Sequence, residues 1–77
     1  MYTADMENMN NIRQVRERLG MKPIRLATRV GVSLMTIYNW EKGVTLPQPD
    51  KRFKIAKVLG VDVSELFPKL ELNQPNK

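Results

Sequence analysis

Between Ser33 and Thr45 lie the side chains of this sequence with most to offer a partner. Wound as a helix with Ile37 and Trp40 inward, the segment turns Met35, Tyr38, Asn39 and Lys42 outward, with Leu34 beside the helix start. An ordinary surface helix carries several Glu and Lys residues on that face. This one offers an apolar tip, a phenol, an amide and one cation, a set suited to recognition and not to bond making. Catalysis finds no residues: there is no Gly-rich phosphate loop, no metal cluster, and no Ser/His/Asp or Cys/His set. Glu17 and Glu41 do not form a carboxylate pair, since Glu17 faces solvent and Glu41 lies at the margin of the buried face. With no cysteine and no histidine, disulfides and the usual transition-metal sites are excluded, and no cofactor is expected.

Five helices can be marked by apolar spacing and stop signals, and nothing alternates like a strand. The spacing predicts a first helix from about Asn8 to Leu19, with Ile12, Val15 and Leu19 on its inner face and Gly20 as its left-handed stop. Pro23 opens a second helix whose Leu26, Ala27 and Val30 face inward before Gly31. Ser33 caps the third, which ends at Gly43. After a Val44-to-Gln48 loop, Pro49 opens a fourth helix with Phe53, Ala56 and Leu59 toward the core and Gly60 at its end. Asp62 and Glu65 read as a capping box for a short fifth helix containing Leu66 and Phe67, limited by Pro68. Residues 1–7 read as a loose leader, 8–68 as one domain and 69–77 as a frayed tail. Connections of three to six residues leave a compact helical cluster as the solution.

The 77 residues carry 13 Lys and Arg against eight Asp and Glu, a net charge of +5 and a pI near 9.9. That excess suits a polyanionic partner, because each phosphate contact releases condensed counterions; a soluble basic surface with no such role is the plainer alternative. No apolar run reaches the roughly 18 residues that span a bilayer, and no signal-peptide core opens the chain, so neither membrane nor export is expected and a cytosolic setting is. Two short helices joined by a glycine turn, the second with an unclaimed polar face, form a device for placing one helix in the DNA major groove.

At this point the chain resembles a known family. From about Asn11 to Pro68 it is similar to the phage-repressor and Cro (XRE-like) helix-turn-helix domains. The matching pieces are Arg13 to Gly20, Leu26-Ala27, Gly31-Val32-Ser33, Thr36-Ile37, Glu41-Lys42-Gly43, Pro47 and Ile55 to Val61. The resemblance implies an all-α, compact five-helix fold of the lambda-repressor type. It also implies a third helix in the major groove and dimers on half-sites one helical turn, roughly 34 Å, apart.

Carried over by position, the resemblance puts Leu34, Met35 and Asn39 at base edges. Asn39 would pair bidentately with adenine, while Leu34 and Met35 would touch thymine methyls. Tyr38 and Thr36 would offer hydroxyls to a base edge or phosphate, and Lys42 and Thr45 would meet the backbone. The family's glutamine at the start of the second helix, which grips phosphate, is here Pro23. Lys22, Arg25 or Arg29 would take over that phosphate. An ion pair between Arg16 and Glu41 is implied as well, locking the first helix to the third.

Each assignment has a plainer competitor. Leu34 and Met35 could form a protein-contact patch, and Tyr38 a solvent-facing ring. Trp40, in register with Ile37, reads as core packing and not as a base wedge. Lys51, Arg52, Lys54 and Lys57 read as a solvated helix face. The expectation is a sequence-specific transcriptional regulator, a homodimeric repressor on a pseudo-palindromic operator, with no small-molecule substrate. Val63, Phe67, Leu70 and Leu72 would supply its two-fold contact. An antitoxin or protein-interaction adaptor and a phage architectural DNA-binding factor stand as the alternatives.

Overall fold

A computed structural model describes residues 10–68. Five helices follow one another, α1 Ile12–Arg18, α2 Pro23–Val30, α3 Leu34–Lys42, α4 Pro49–Leu59 and α5 Val63–Leu66, with no strand among the described residues. The expected leader and tail, and with them Leu70 and Leu72, lie outside the described residues.

Local chemistry sets the ends of these helices. Pro23 and Pro49 occupy first-turn positions, where a missing N–H leaves no bond unmade. Gly31 has φ 90°, and its N–H and that of Val32 both donate to the Ala27 carbonyl, at 2.8 and 3.0 Å. A side chain there would be strained in this left-handed conformation, so glycine lets the chain reverse within three residues. Ser33 Oγ then accepts the Thr36 N–H at 3.1 Å and starts α3.

Leu26, Ala27 and Val30 place α2 at the centre, packed against both α3 and α4, while α1 packs on α3 and α5 on α4. Ile12, Val15, Ile37, Trp40, Ile55, Ala56, Leu59, Leu66 and Phe67 complete the core. Each large apolar side chain fully buried there contributes about 1.5–3 kcal/mol relative to exposure.

Several sequence expectations are corrected. The helix expected from about Asn8 starts at Ile12, with Asn10 and Asn11 outside it, and its start is fixed by Asn10, whose Oδ1 accepts the Ile12 N–H at 3.1 Å. Leu19 is 52% exposed and not a core residue. The turn at Gly20, φ 69°, swings Met21 back against the core in its place, with the Met21 N–H on the Arg16 carbonyl at 3.0 Å. On α4 the inward residue is Ile55, fully buried, and Phe53 points to solvent. About 100° of rotation per residue puts Ile55, Ala56 and Leu59 in one arc and Phe53 roughly 110° from its centre.

The capping box does not form. Asp62 is the N-cap of α5, but its side chain makes no capping bond. The Glu65 carboxylate lies 3.5 Å from Arg18 Nη1 instead. Phe67 follows α5 as its C-cap, and it is fully buried. It is therefore core and cannot belong to a two-fold contact. Val63 is half-buried and packs against that core.

Candidate nucleic-acid interface

Placing α3 begins with the residues that hold its two ends. At the start, Ser33 Oγ also lies 2.9 Å from Thr36 Oγ1, so the half-buried Thr36 hydroxyl is engaged at the cap. At the far end, Arg16 from α1 meets Glu41 from α3: Nε to Oε2 is 2.7 Å and Nη2 to Oε1 is 3.2 Å. Both side chains are buried, 8% and 5% exposed. The remaining guanidinium nitrogen, Nη1, donates to the Met21 carbonyl at 2.8 Å, so the buried charge is met on three sides. Burial makes such a pair a device of geometry more than of net stability.

A second tie was not foreseen. Asn10, almost fully buried, donates from Nδ2 to the Trp40 carbonyl at 2.8 Å. In the sequence Asn10 looked like one more polar residue of a helix interior. The signal was available, since an asparagine two residues before the first buried isoleucine is a strong helix-start residue.

Held this way, α3 turns Ile37 and Trp40 into the core and leaves its other face open. Met35 is 65% exposed, Tyr38 and Lys42 are exposed, and Leu34 and Asn39 are half-buried. The Asn39 backbone carbonyl accepts from the Val44 and Thr45 N–H groups at 2.9 and 3.4 Å and ties the following loop to the end of α3. Thr45 is exposed in the loop beyond. That loop is pinned by Arg52, whose Nε donates to the Pro47 carbonyl at 3.0 Å. Arg52 is thus half-buried and structural, not part of a solvated basic face; no spacing rule in the sequence announces that bond.

On α2, Lys22, Arg25 and Arg29 are exposed, and Pro23 is half-buried at the helix start with no side-chain cap beside it. A groove of about 430 Å³ runs between α1 and α3, with Arg13, Gln14 and Glu17 on one wall, Tyr38 and Lys42 on the other and Pro23 at its end. Arg13 pairs with Glu17 at 3.1 Å.

Among the described residues the acids are unevenly placed. From Gly20 to Pro49 the sequence has one acid, Glu41, and that acid is buried against Arg16. The exposed acids of the described residues, Glu17, Asp50, Asp62 and Glu65, all lie on or beside α1, α4 and α5. Lys22, Arg25, Arg29 and Lys42 therefore stand on the α2–α3 side with no ion pair among the described residues. Unpaired cations around an amide, a phenol and two apolar side chains suit a phosphate backbone flanking base edges.

Comparison with known proteins agrees with this geometry. A family model described as Helix-turn-helix matches residues 12–66. An uncharacterized transcriptional regulator in the ATPase CF(0) region of Rhodospirillum rubrum is 34% identical over 75 residues, covering 97% of this chain and 69% of the relative. An uncharacterized HTH-type transcriptional regulator of Archaeoglobus fulgidus is 39% identical over 56 residues, covering 73% of this chain and 80% of that protein. With five helices among the described residues, a glycine turn at Gly31 and an exposed third helix, the chain belongs to the helix-turn-helix family, of the phage-repressor and Cro type.

Proposed function

We propose that this protein is a sequence-specific transcriptional regulator that binds double-stranded DNA with α3 in the major groove, and that it represses as a homodimer on a pseudo-palindromic operator. The observation that carries the reading is the charge on α2 and α3: four cations without an ion pair among the described residues and one acid, Glu41, which is buried, while the exposed Glu17 across the α1–α3 groove is paired with Arg13. In this reading Asn39 is the polar probe of a base edge, pairing with adenine, and Leu34 and Met35 read thymine methyls. Tyr38 adds a hydroxyl at the same surface. Lys22, Arg25, Arg29, Lys42 and Thr45 hold phosphates and set the register, with Thr36 bracing the helix start beside them. One domain makes few base contacts, and two copies on one site roughly double the interaction free energy. The two curated relatives, both named as transcriptional regulators, support the regulatory role.

Titrating labelled operator-length DNA, selected from a random pool, at several salt concentrations tests this. The expected plot of log K against log salt is steep, with about one unit of slope per phosphate neutralised. A flat plot, or one affinity for every sequence, rejects the proposal. The exposed Met35 at the tip of α3 favours a second reading, in which this surface docks a protein. A partner that binds α3 and is not displaced by DNA would support it.

A further inference from the structure

The chain has no cysteine, so its oxidisable sulfur is carried by five methionines, of which Met21 and Met35 lie among the described residues. Met21 is half-buried and packs against the core. Met35 is 65% exposed in the first turn of α3, with Tyr38 three and Asn39 four residues further on. Side chains at those spacings are neighbours on one helix face, with about 5–6 Å between their Cβ atoms. Among the described residues no hydrogen bond engages the Tyr38 hydroxyl or the Asn39 side-chain amide. One accessible thioether thus stands beside two uncommitted hydrogen-bond donors.

We propose that Met35 is an oxidation site through which hydroperoxides switch off sequence reading by α3. The inference rests on the reading above, in which Met35 touches a thymine methyl, and adds its regulation. In the step itself the Sδ lone pair attacks one oxygen of the hydroperoxide, and the S–O bond forms as the O–O bond breaks. The departing hydroxide takes the proton left on the transferred oxygen, and water leaves. Sulfur gives up an electron pair and the peroxide is reduced. The sulfoxide is polar and carries a new acceptor oxygen, so the apolar contact with a thymine methyl is lost. That oxygen also comes within reach of the Tyr38 hydroxyl and Asn39 Nδ2, and draws both donors from the base edge onto the helix's own surface. One transferred atom therefore disables three neighbouring readers. The sulfoxide is neutral, so the phosphate contacts of Lys22, Arg25, Arg29 and Lys42 persist, and DNA is still held but no longer read.

Hydrogen peroxide treatment of the full chain tests this, followed by peptide mapping in the mass spectrometer and titration with the selected operator. Met35 is expected to gain its oxygen before Met21. The oxidised chain is expected to bind the operator at least about tenfold more weakly, the scale of one lost base contact. Affinity for unrelated duplexes, the salt slope and the helical circular dichroism are expected to stay unchanged, since no charge is added. Methionine sulfoxide reductases with a thiol reductant are expected to restore operator affinity. Met35→Leu, whatever its own affinity, is expected to ignore peroxide, and Met21→Leu to respond as wild type does. Met35 oxidised no faster than Met21 overturns the proposal, as does a full peroxide response in Met35→Leu or an equal loss on unrelated duplexes. A reduced chain that reads sequence and ignores peroxide removes the switch and keeps the regulator; a reduced chain that binds every sequence alike removes both.

Discussion

Asn10 and Trp40 are joined by a 2.8 Å hydrogen bond from the asparagine Nδ2 to the tryptophan carbonyl oxygen, 30 residues apart in sequence. The same asparagine accepts the Ile12 N–H through Oδ1 at 3.1 Å. One side chain therefore starts α1 and fastens the last turn of α3, the helix that carries Tyr38 and Asn39.

Replacing Asn10 with Ala should lower stability by about 1–3 kcal/mol, because it leaves the Ile12 N–H without its acceptor and takes one of two donors from the Trp40 carbonyl, which keeps the Gly43 N–H. Asn10→Asp keeps the acceptor for Ile12 but sets a buried carboxylate oxygen against the Trp40 carbonyl, so it should cost at least as much as Asn10→Ala. Urea unfolding midpoints check the order.

For the Arg16–Glu41 pair the asymmetry of burial sets the outcome. Arg16→Met or Glu41→Leu alone leaves one buried charge without its partner and should cost about 3–5 kcal/mol. The double variant should recover most of that loss. A double-mutant cycle on thermal unfolding measures the coupling.

At the reading face, Asn39→Ala should remove preference at one base pair, a loss of about 1–3 kcal/mol at that position only. Arg25→Ala or Arg29→Ala should weaken all sequences alike and lower the salt slope by about one unit for each phosphate no longer neutralised. Binding-site selection and salt titration on each variant separate the two classes.

Pro23→Gln should tighten DNA binding evenly across sequences, since it supplies both an amide side chain and a backbone N–H at the start of α2. Loss of the proline constraint should cost stability on the order of 0.4–1 kcal/mol. Affinity for unrelated duplexes and a melting curve report the two effects independently.

Phe67→Ala should cost about 3–5 kcal/mol, while Phe53→Ala should change the stability of the monomer by under about 0.5 kcal/mol. Unfolding at concentrations below dimer formation compares them directly.

That contrast also marks how much of the structure was legible in the sequence. The ends of α2 and α3 and the start of α4 were, because Gly31, Ser33 and the prolines at 23 and 49 act through their own backbone and side-chain chemistry. The inner faces of α2 and α3 were as well, since Leu26, Val30, Ile37 and Trp40 leave little choice of register. Phe53 and Ile55 compete for one face of α4, and only the position of α2 decides between them. Phe67 sits past the end of a four-residue helix, where no periodicity applies. Asp62 and Glu65 matched a local capping rule, but Glu65 found Arg18 across the fold. For the reading face, residue types and spacing named the outward set on α3. The bonds that hold that helix, from Asn10 and Arg16, link distant parts of the sequence and become visible only in three dimensions.

Beside Asn10, the Asn11 N–H donates to the Leu66 carbonyl at 2.8 Å and its Nδ2 to the Glu65 carbonyl at 2.9 Å. The beginning and end of the helical unit are thus stitched directly together, and the domain is a closed loop in all but its covalent bonds. Such a unit can be cut at a surface turn and its ends joined by a linker placed outside Asn10 and Phe67, or inserted into a loop of a host protein, with its core undisturbed.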